Sequence, residues 1–133
     1  MCGMMGRYIA VGLALWLWPV GAAGEPVAGD AERGGKVFRK CVACHRVGDD
    51  AKNAIGPHLN GILGRAVASL EGYKYSKALR DYAVAQPVWT YEMLDGYLAA
   101  PRGAVKGTRM NFVGLRKEKD RRDVIAYLRA TAP

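Results

Sequence analysis

The clearest periodic signal lies near the C-terminal end. Between Lys117 and Ala130, Val124, Ile125 and Leu128 fall on one side of a helix, and charges fill most other positions. Thr90 is a suitable N-cap for a second helix, running to about Ala99, with Met93, Leu94, Tyr97 and Leu98 near one face. Pro101 should end it. Asp30 can cap a first helix from Ala31 to about Cys41, whose apolar residues are Val37 and Phe38. Gly34 and Gly35 are poor helix formers, and close approach of another helix is the reason they invite. Tyr75 to Tyr82 can form a short helix. Gly48, Gly56, Pro57, Gly61 and Gly64 break up residues 46–70, leaving loops and one short helical turn near Leu59 to Leu63. Residues 102–114 read as an extended loop. No stretch alternates like a strand, and no segment repeats. The pattern predicts an all-α domain with long loops, and such loops need something to pack around.

The first 24 residues stand apart. Arg7 is the only charge before Glu25, Tyr8 to Val20 is almost wholly apolar, and Gly21 to Gly24 are small. This reads as a secretory signal cut near Gly24, which leaves residues 25–133 as one domain. An uncleaved anchor through residues 8–23 is the alternative. The run is shorter than the roughly 20 residues a span needs, and Pro19 interrupts it. The chain carries a formal charge of +8. Without the leader it keeps 19 basic and 12 acidic residues. Such a balance favours anionic partners. No dense basic run or nucleic-acid motif is present, which argues against nucleic acid.

Three cysteines occur, and Cys2 lies in the leader. Cys41 and Cys44 could pair in an exported protein, but the next residue is His45. Cys41-Val42-Ala43-Cys44-His45 is the C-x-x-C-H signature of covalent haem attachment. On a helical turn, residues three and four apart share a face. Both thiols can then reach the two vinyl groups of one haem edge, and the imidazole can turn toward the iron. A structural zinc would want about four ligands, and only distant His58 is left to supply one. A thioredoxin-like pair would want a βαβ setting, which is missing. For the sixth iron position, His58 reads as a polar loop residue. Met93 reads as packing on an apolar helix face. Met110, in Gly107-Thr108-Arg109-Met110-Asn111-Phe112, lies in a loop that can lay a flexible thioether against the haem.

Residues 29–130 resemble a class I cytochrome c, the soluble mitochondrial protein and its bacterial periplasmic relatives. The resemblance rests on Gly29-Asp30, Gly34, Phe38, Cys41 to His45, Gly56-Pro57-His58-Leu59-Asn60-Gly61, Gly64-Arg65, Gly72-Tyr73-Lys74-Tyr75-Ser76, Trp89, Tyr97-Leu98, Pro101, Gly107 to Met110 and Ala126-Tyr127-Leu128. It implies that Met110 is the distal ligand and that the Pro57 carbonyl accepts a hydrogen bond from His45. It implies that Arg65, Tyr75 and Trp89 serve the inner propionate, that Thr108 bonds the outer one, and that Tyr97 lies near the Met110 sulfur. Gly34 would let the first helix cross the last beside Tyr127. Three departures stand out. Lys106 replaces a proline, Arg109 replaces a lysine, and Leu79 stands where an asparagine helps hold an internal water.

The implied function is one-electron transfer by a single covalent haem c, without enzymatic activity or a small-molecule substrate. The donor would be a cytochrome bc complex. The acceptor would be a terminal oxidase, a peroxidase or a photosynthetic reaction centre. Lys40, Arg46, Lys52, Arg102, Lys106 and Arg109 flank haem-contacting segments and could ring the exposed edge, steering the protein to acidic faces. A monomer in the periplasm is expected. The other readings are a small haem enzyme or sensor with a labile distal ligand, and a haem-bearing subunit of a larger complex.

Overall fold

The computed structural model describes residues 29–131. It holds five helices: α1 (Ala31–Phe38), α2 (Lys77–Ala85), α3 (Tyr91–Ala99), α4 (Pro101–Ala104) and α5 (Glu118–Ala130). Among the described residues, β pairing is limited to an isolated antiparallel bridge between Ala66 and Val88. The all-α expectation holds.

The caps explain where the helices begin. The Asp30 carboxylate accepts from the Arg33 amide at 2.8 Å, and the Thr90 hydroxyl accepts from the Met93 amide at 3.2 Å. Each satisfies a donor that the first helical turn leaves orphaned. The Ser76 hydroxyl does the same for Leu79 at 3.1 Å. That cap corrects the expected Tyr75–Tyr82 helix: α2 starts at Lys77 and continues to Ala85, with Pro87 just beyond.

Three more boundaries differ from expectation. The first helix closes at Phe38, not near Cys41, but turns continue through the motif. The Cys44 and His45 amides both donate to the Cys41 carbonyl, at 3.0 and 2.9 Å. Pro101 ends α3 and also opens α4, where its missing N–H costs nothing. The segment expected to extend from residue 102 therefore begins as a helical turn. Near Leu59 to Leu63 the chain makes turns but no helix, with Ile62 bonding back to Leu59 and Arg65 to Ile62, each at 3.2 Å. Gly61 and Gly64, both at positive φ, stop the turn from propagating.

The fold is organised by α1 crossing α5, with α3 also packed on α5. Gly34 is buried at the crossing. A Cβ there would sit 2.0 Å from the Asp123 carbonyl oxygen and 2.7 Å from the Tyr127 Cβ. The helix pays with a weak former so that two backbones can touch. Beside it, the buried Asp123 carboxylate accepts from the Asp30 amide at 2.8 Å, Arg33 Nε at 2.9 Å and Lys119 Nζ at 2.6 Å. Phe38, Leu94, Leu98, Val124, Ile125 and Leu128 fill the space between the three helices. Among the described residues no helix is long and apolar enough to cross a membrane. The expected leader, residues 1–24, lies outside the described residues.

Candidate functional site

The loops and helices enclose a cavity of about 550 Å³, a size typical of a small-molecule site. Its walls are mainly apolar and include Phe38, Ile62, Leu94, Leu98 and Leu128. All ten residues singled out from the sequence line it: Cys41, Cys44, His45, Pro57, Arg65, Tyr75, Trp89, Tyr97, Thr108 and Met110. His58 and Met93 do not. Met93 packs against the core, as its helical position suggested.

The turn after α1 presents three of these groups together. Cys41 and Cys44 are free thiols, so the disulfide alternative is not realised. Burial pushes the Cys41 thiol above its ordinary value. His45 Nδ1 lies 2.7 Å from the Pro57 carbonyl oxygen. A carbonyl only accepts, so Nδ1 carries the proton and the Nε2 lone pair is left free. Burial lowers the His45 pKa, more than the Pro57 hydrogen bond raises it, which favours the neutral ring a metal needs. Gly56 makes this arrangement possible. A Cβ there would sit 2.4 Å from Cε1 of the ring.

A second group gathers around Met110. The Tyr97 hydroxyl donates to the Met110 sulfur at 3.3 Å, and the Met110 amide donates to the Thr108 hydroxyl at 3.2 Å. Burial raises the Tyr97 pKa and keeps it a donor. Arg65 is half-buried and donates to the carbonyls of Asn60 at 2.9 Å and His58 at 3.1 Å. It has no carboxylate partner among the described residues, and burial lowers its pKa. Such a cation at an apolar cavity calls for an anion from outside the chain. The Tyr75 hydroxyl accepts from the Leu70 amide at 3.4 Å, and Trp89 is buried.

Several lining residues had no role assigned from the sequence. Tyr73 packs edge-on against Tyr75, with centroids 4.8 Å apart, and donates to the Ile55 carbonyl at 2.8 Å. Lys74 lines the cavity beside Lys40 and Arg109, and Leu79 contributes an apolar wall. Their positions depend on loops meeting from distant parts of the chain. The run Gly72 to Ser76 marked the segment of Tyr73 and Lys74 without assigning their roles, and Leu79 stood out only as a departure from the family pattern.

Two thiols and an imidazole on one turn, a thioether, an apolar cavity and an unpaired guanidinium suit one kind of occupant. It is a flat apolar macrocycle bearing vinyl groups, a metal ion and carboxylates. The family model for cytochrome c matches residues 31–132. The chain belongs to the class I cytochrome c family. As a cytochrome c it carries one covalently attached haem c and takes part in electron transport. It is 52% identical over 103 residues to the cytochrome c-type cyt cy of Rhodobacter capsulatus, covering 77% of this chain and 49% of that protein. The chain thus spans about half the length of that relative. It is 50% identical to cytochrome c-550 of Ancylobacter novellus, over 73% of this chain and 91% of that one. The structure of cytochrome c2 from Rhodospirillum centenum superposes with a TM-score of 0.73 at 39% identity, covering 79% of this cytochrome and all of the other chain.

Proposed function

We propose that this cytochrome is an exported, monomeric single-electron shuttle whose haem iron would be held by His45 and Met110. The observation that carries the reading is that both side chains line one apolar cavity with the free thiols of Cys41 and Cys44. When bound, the haem iron supplies a one-electron couple. Cys41 and Cys44 hold it by thioether bonds. Pro57 fixes the His45 tautomer and raises its basicity as a ligand. The Met110 thioether favours reduced iron and raises the potential, and Tyr97 restrains its sulfur. Arg65, Tyr75 and Trp89 serve one propionate, and Thr108 serves the other. Held by both side chains, the iron would have no site left for peroxide or oxygen.

The docking face is the set of exposed cations around the cavity. Lys40, Lys74 and Arg109 line it, and Arg46, Lys52, Arg102 and Lys106 are exposed on neighbouring segments. Among the described residues, none of these cations forms an ion pair. Arg33, Lys36, Lys119, Arg121 and Arg122 of α1 and α5, and Lys77 of α2, all pair with acidic residues. Positive charge around the cavity is left uncancelled, as it also is at Arg39, Arg80 and Arg129 elsewhere among the described residues, and the cavity set suits acidic faces on a bc-type donor and an oxidase, peroxidase or reaction-centre acceptor.

Spectra of the purified protein in both oxidation states, with a redox titration, test this reading. A sulfur–iron absorption band in the oxidised form and no carbon monoxide binding in the reduced form are expected. Ready carbon monoxide binding by the resting reduced protein would instead support an open-iron enzyme or sensor. Stopped-flow oxidation by membranes containing a terminal oxidase should slow as salt rises.

A further inference from the structure

The chain is held by a guanidinium on each side of Met110. Arg109, the residue before it, donates through Nη2 to the Lys74 carbonyl, 35 residues away in sequence. Asn111, the residue after it, accepts at Oδ1 from Arg102 Nη2 at 2.6 Å. Lys74 lies in the loop leading to α2, and Arg102 lies in α4. The thioether thus sits between two ties to separate segments, one to cavity-lining Lys74 and one to α4 outside the cavity. Neither arginine pairs with a carboxylate among the described residues.

The segment needs such ties. No helix runs between α4 and α5, and Val113 is 92% exposed. Residue 106 is a lysine, so no ring fixes φ ahead of Gly107. Side chains must then supply the restraint. A guanidinium suits the task because it stays charged at any working pH and its planar fork loses little freedom when it bonds. Both contacts are charge-assisted, stronger than neutral ones.

We propose that Arg102 and Arg109 are positioning residues for the Met110 thioether, two independent clamps that keep it on the iron. This rests on the reading of Met110 as the distal ligand. Opening of the segment is a local event, so loosening a clamp should raise the population with an open iron site without unfolding the domain.

The test uses the haem-loaded protein. Arg102→Met and Asn111→Ala should each speed carbon monoxide binding to the reduced form about threefold to tenfold, the scale of one exposed charge-assisted hydrogen bond. The double variant should be no faster than the faster single, because both remove the same bond. Arg109→Met should multiply with either, since its partner is Lys74. Arg102→Lys should recover part of the effect. Amide hydrogen exchange at Met110, whose N–H bonds the Thr108 hydroxyl, should rise in the same order, a readout independent of added ligand. Arg129→Met, in the last turn of α5, controls for lost charge and should match the wild type.

Wild-type rates and exchange in the Arg102 and Arg109 variants would overturn the clamps. So would multiplicative effects of Arg102→Met and Asn111→Ala. Met110→Ala separates the two readings. If it keeps the sulfur–iron band, the ligand reading fails and takes the clamps with it. If it loses the band while the arginine variants behave as wild type, only the clamps fail.

Discussion

A single methyl group at residue 56 would reach the His45 ring, at 2.4 Å from Cε1 and 2.8 Å from Nδ1. Gly56→Ala should therefore move the imidazole off the Pro57 carbonyl. Overpacking of this kind costs about 1–3 kcal/mol. Lower holoprotein yield, a reduced unfolding midpoint and a shifted absorption spectrum are expected together. An unchanged spectrum would mean the ring tolerates displacement. The second residue-scale test concerns the sulfur. Met110→Ala should open the iron, lower the potential and allow carbon monoxide binding, with peroxidase-like activity as a side effect. Oxidising Met110 to its sulfoxide should act in the same direction. Met93→Leu should do none of this, because Met93 packs against the core outside the cavity. Loss of the sulfur–iron band in Met93→Leu would overturn the assignment. The sequence alone placed Met110 in the right kind of segment. The family resemblance put Tyr97 near that sulfur, and the structure has its hydroxyl 3.3 Å away. That Asn111 answers Arg102 was not legible, because such pairings form only after distant segments meet.

At the level of elements, the crossing of α1 on α5 makes two predictions. Gly34→Ala would put a Cβ 2.0 Å from a backbone oxygen of α5, which no rotamer change can relieve. The helices would have to separate, at a cost above that of an ordinary core overpacking, so thermal unfolding should show a large drop or no folded state. Asp123 supplies the pH dependence. Its hydrogen bond from Arg33, with help from the Asp30 amide and Lys119, holds its pKa far below the usual carboxylate range, against the opposing effect of burial. A depressed folded pKa means stability fully present above the unfolded value, about 3.9, and lost as pH falls toward the folded one. Unfolding by acid should thus steepen below about pH 4. Asp123→Asn should cost about 2 kcal/mol near neutrality and flatten that acid limb. Equal acid slopes in the two proteins would show that other carboxylates control it. The sequence located both helices and gave Gly34 its reason. It did not single out Asp123, since an aspartate among the charges of α5 looks like any exposed one until α1 covers it.

For the whole molecule, the charge layout makes the proposed docking testable by salt and charge reversal. The Debye length is about 10 Å at 0.1 M salt and about 3 Å at 1 M. Lys40→Glu and Lys106→Glu should slow reaction with an acidic partner and weaken its salt dependence. Arg129→Glu should have a smaller effect. Arg121 would make a poor control, although its place on the last helix first suggests it, because it bonds Asp95 at 2.7 Å and is only 12% exposed. Reversing it would disturb the α3–α5 contact as well as the surface. Equal rates for all three reversals would leave the basic face without a function. Export is checked by mass. If the leader is cleaved, the mature protein begins near Glu25 and fractionates with the periplasm. A membrane-bound form retaining Met1 would favour the anchor.

What the sequence determined by itself is what depends on short range. The spacing of Cys41, Cys44 and His45 within one turn named the cofactor, because attachment geometry is local. Helical periodicity and caps located four of the five helices, because a cap and an apolar stripe are written within a few residues. Helix ends were less legible. Ser76 competes with Tyr75 to start α2, and Pro101 can stop one helix and open another. What only the tertiary structure decided is how loops from four parts of the chain close on one cavity. It set the free valence of His45, the unpaired charge of Arg65, the burial of Asp123 and the two arginines around Met110. None of these follows from sequence spacing, because each depends on a burial or a partner that exists only once the helices have packed.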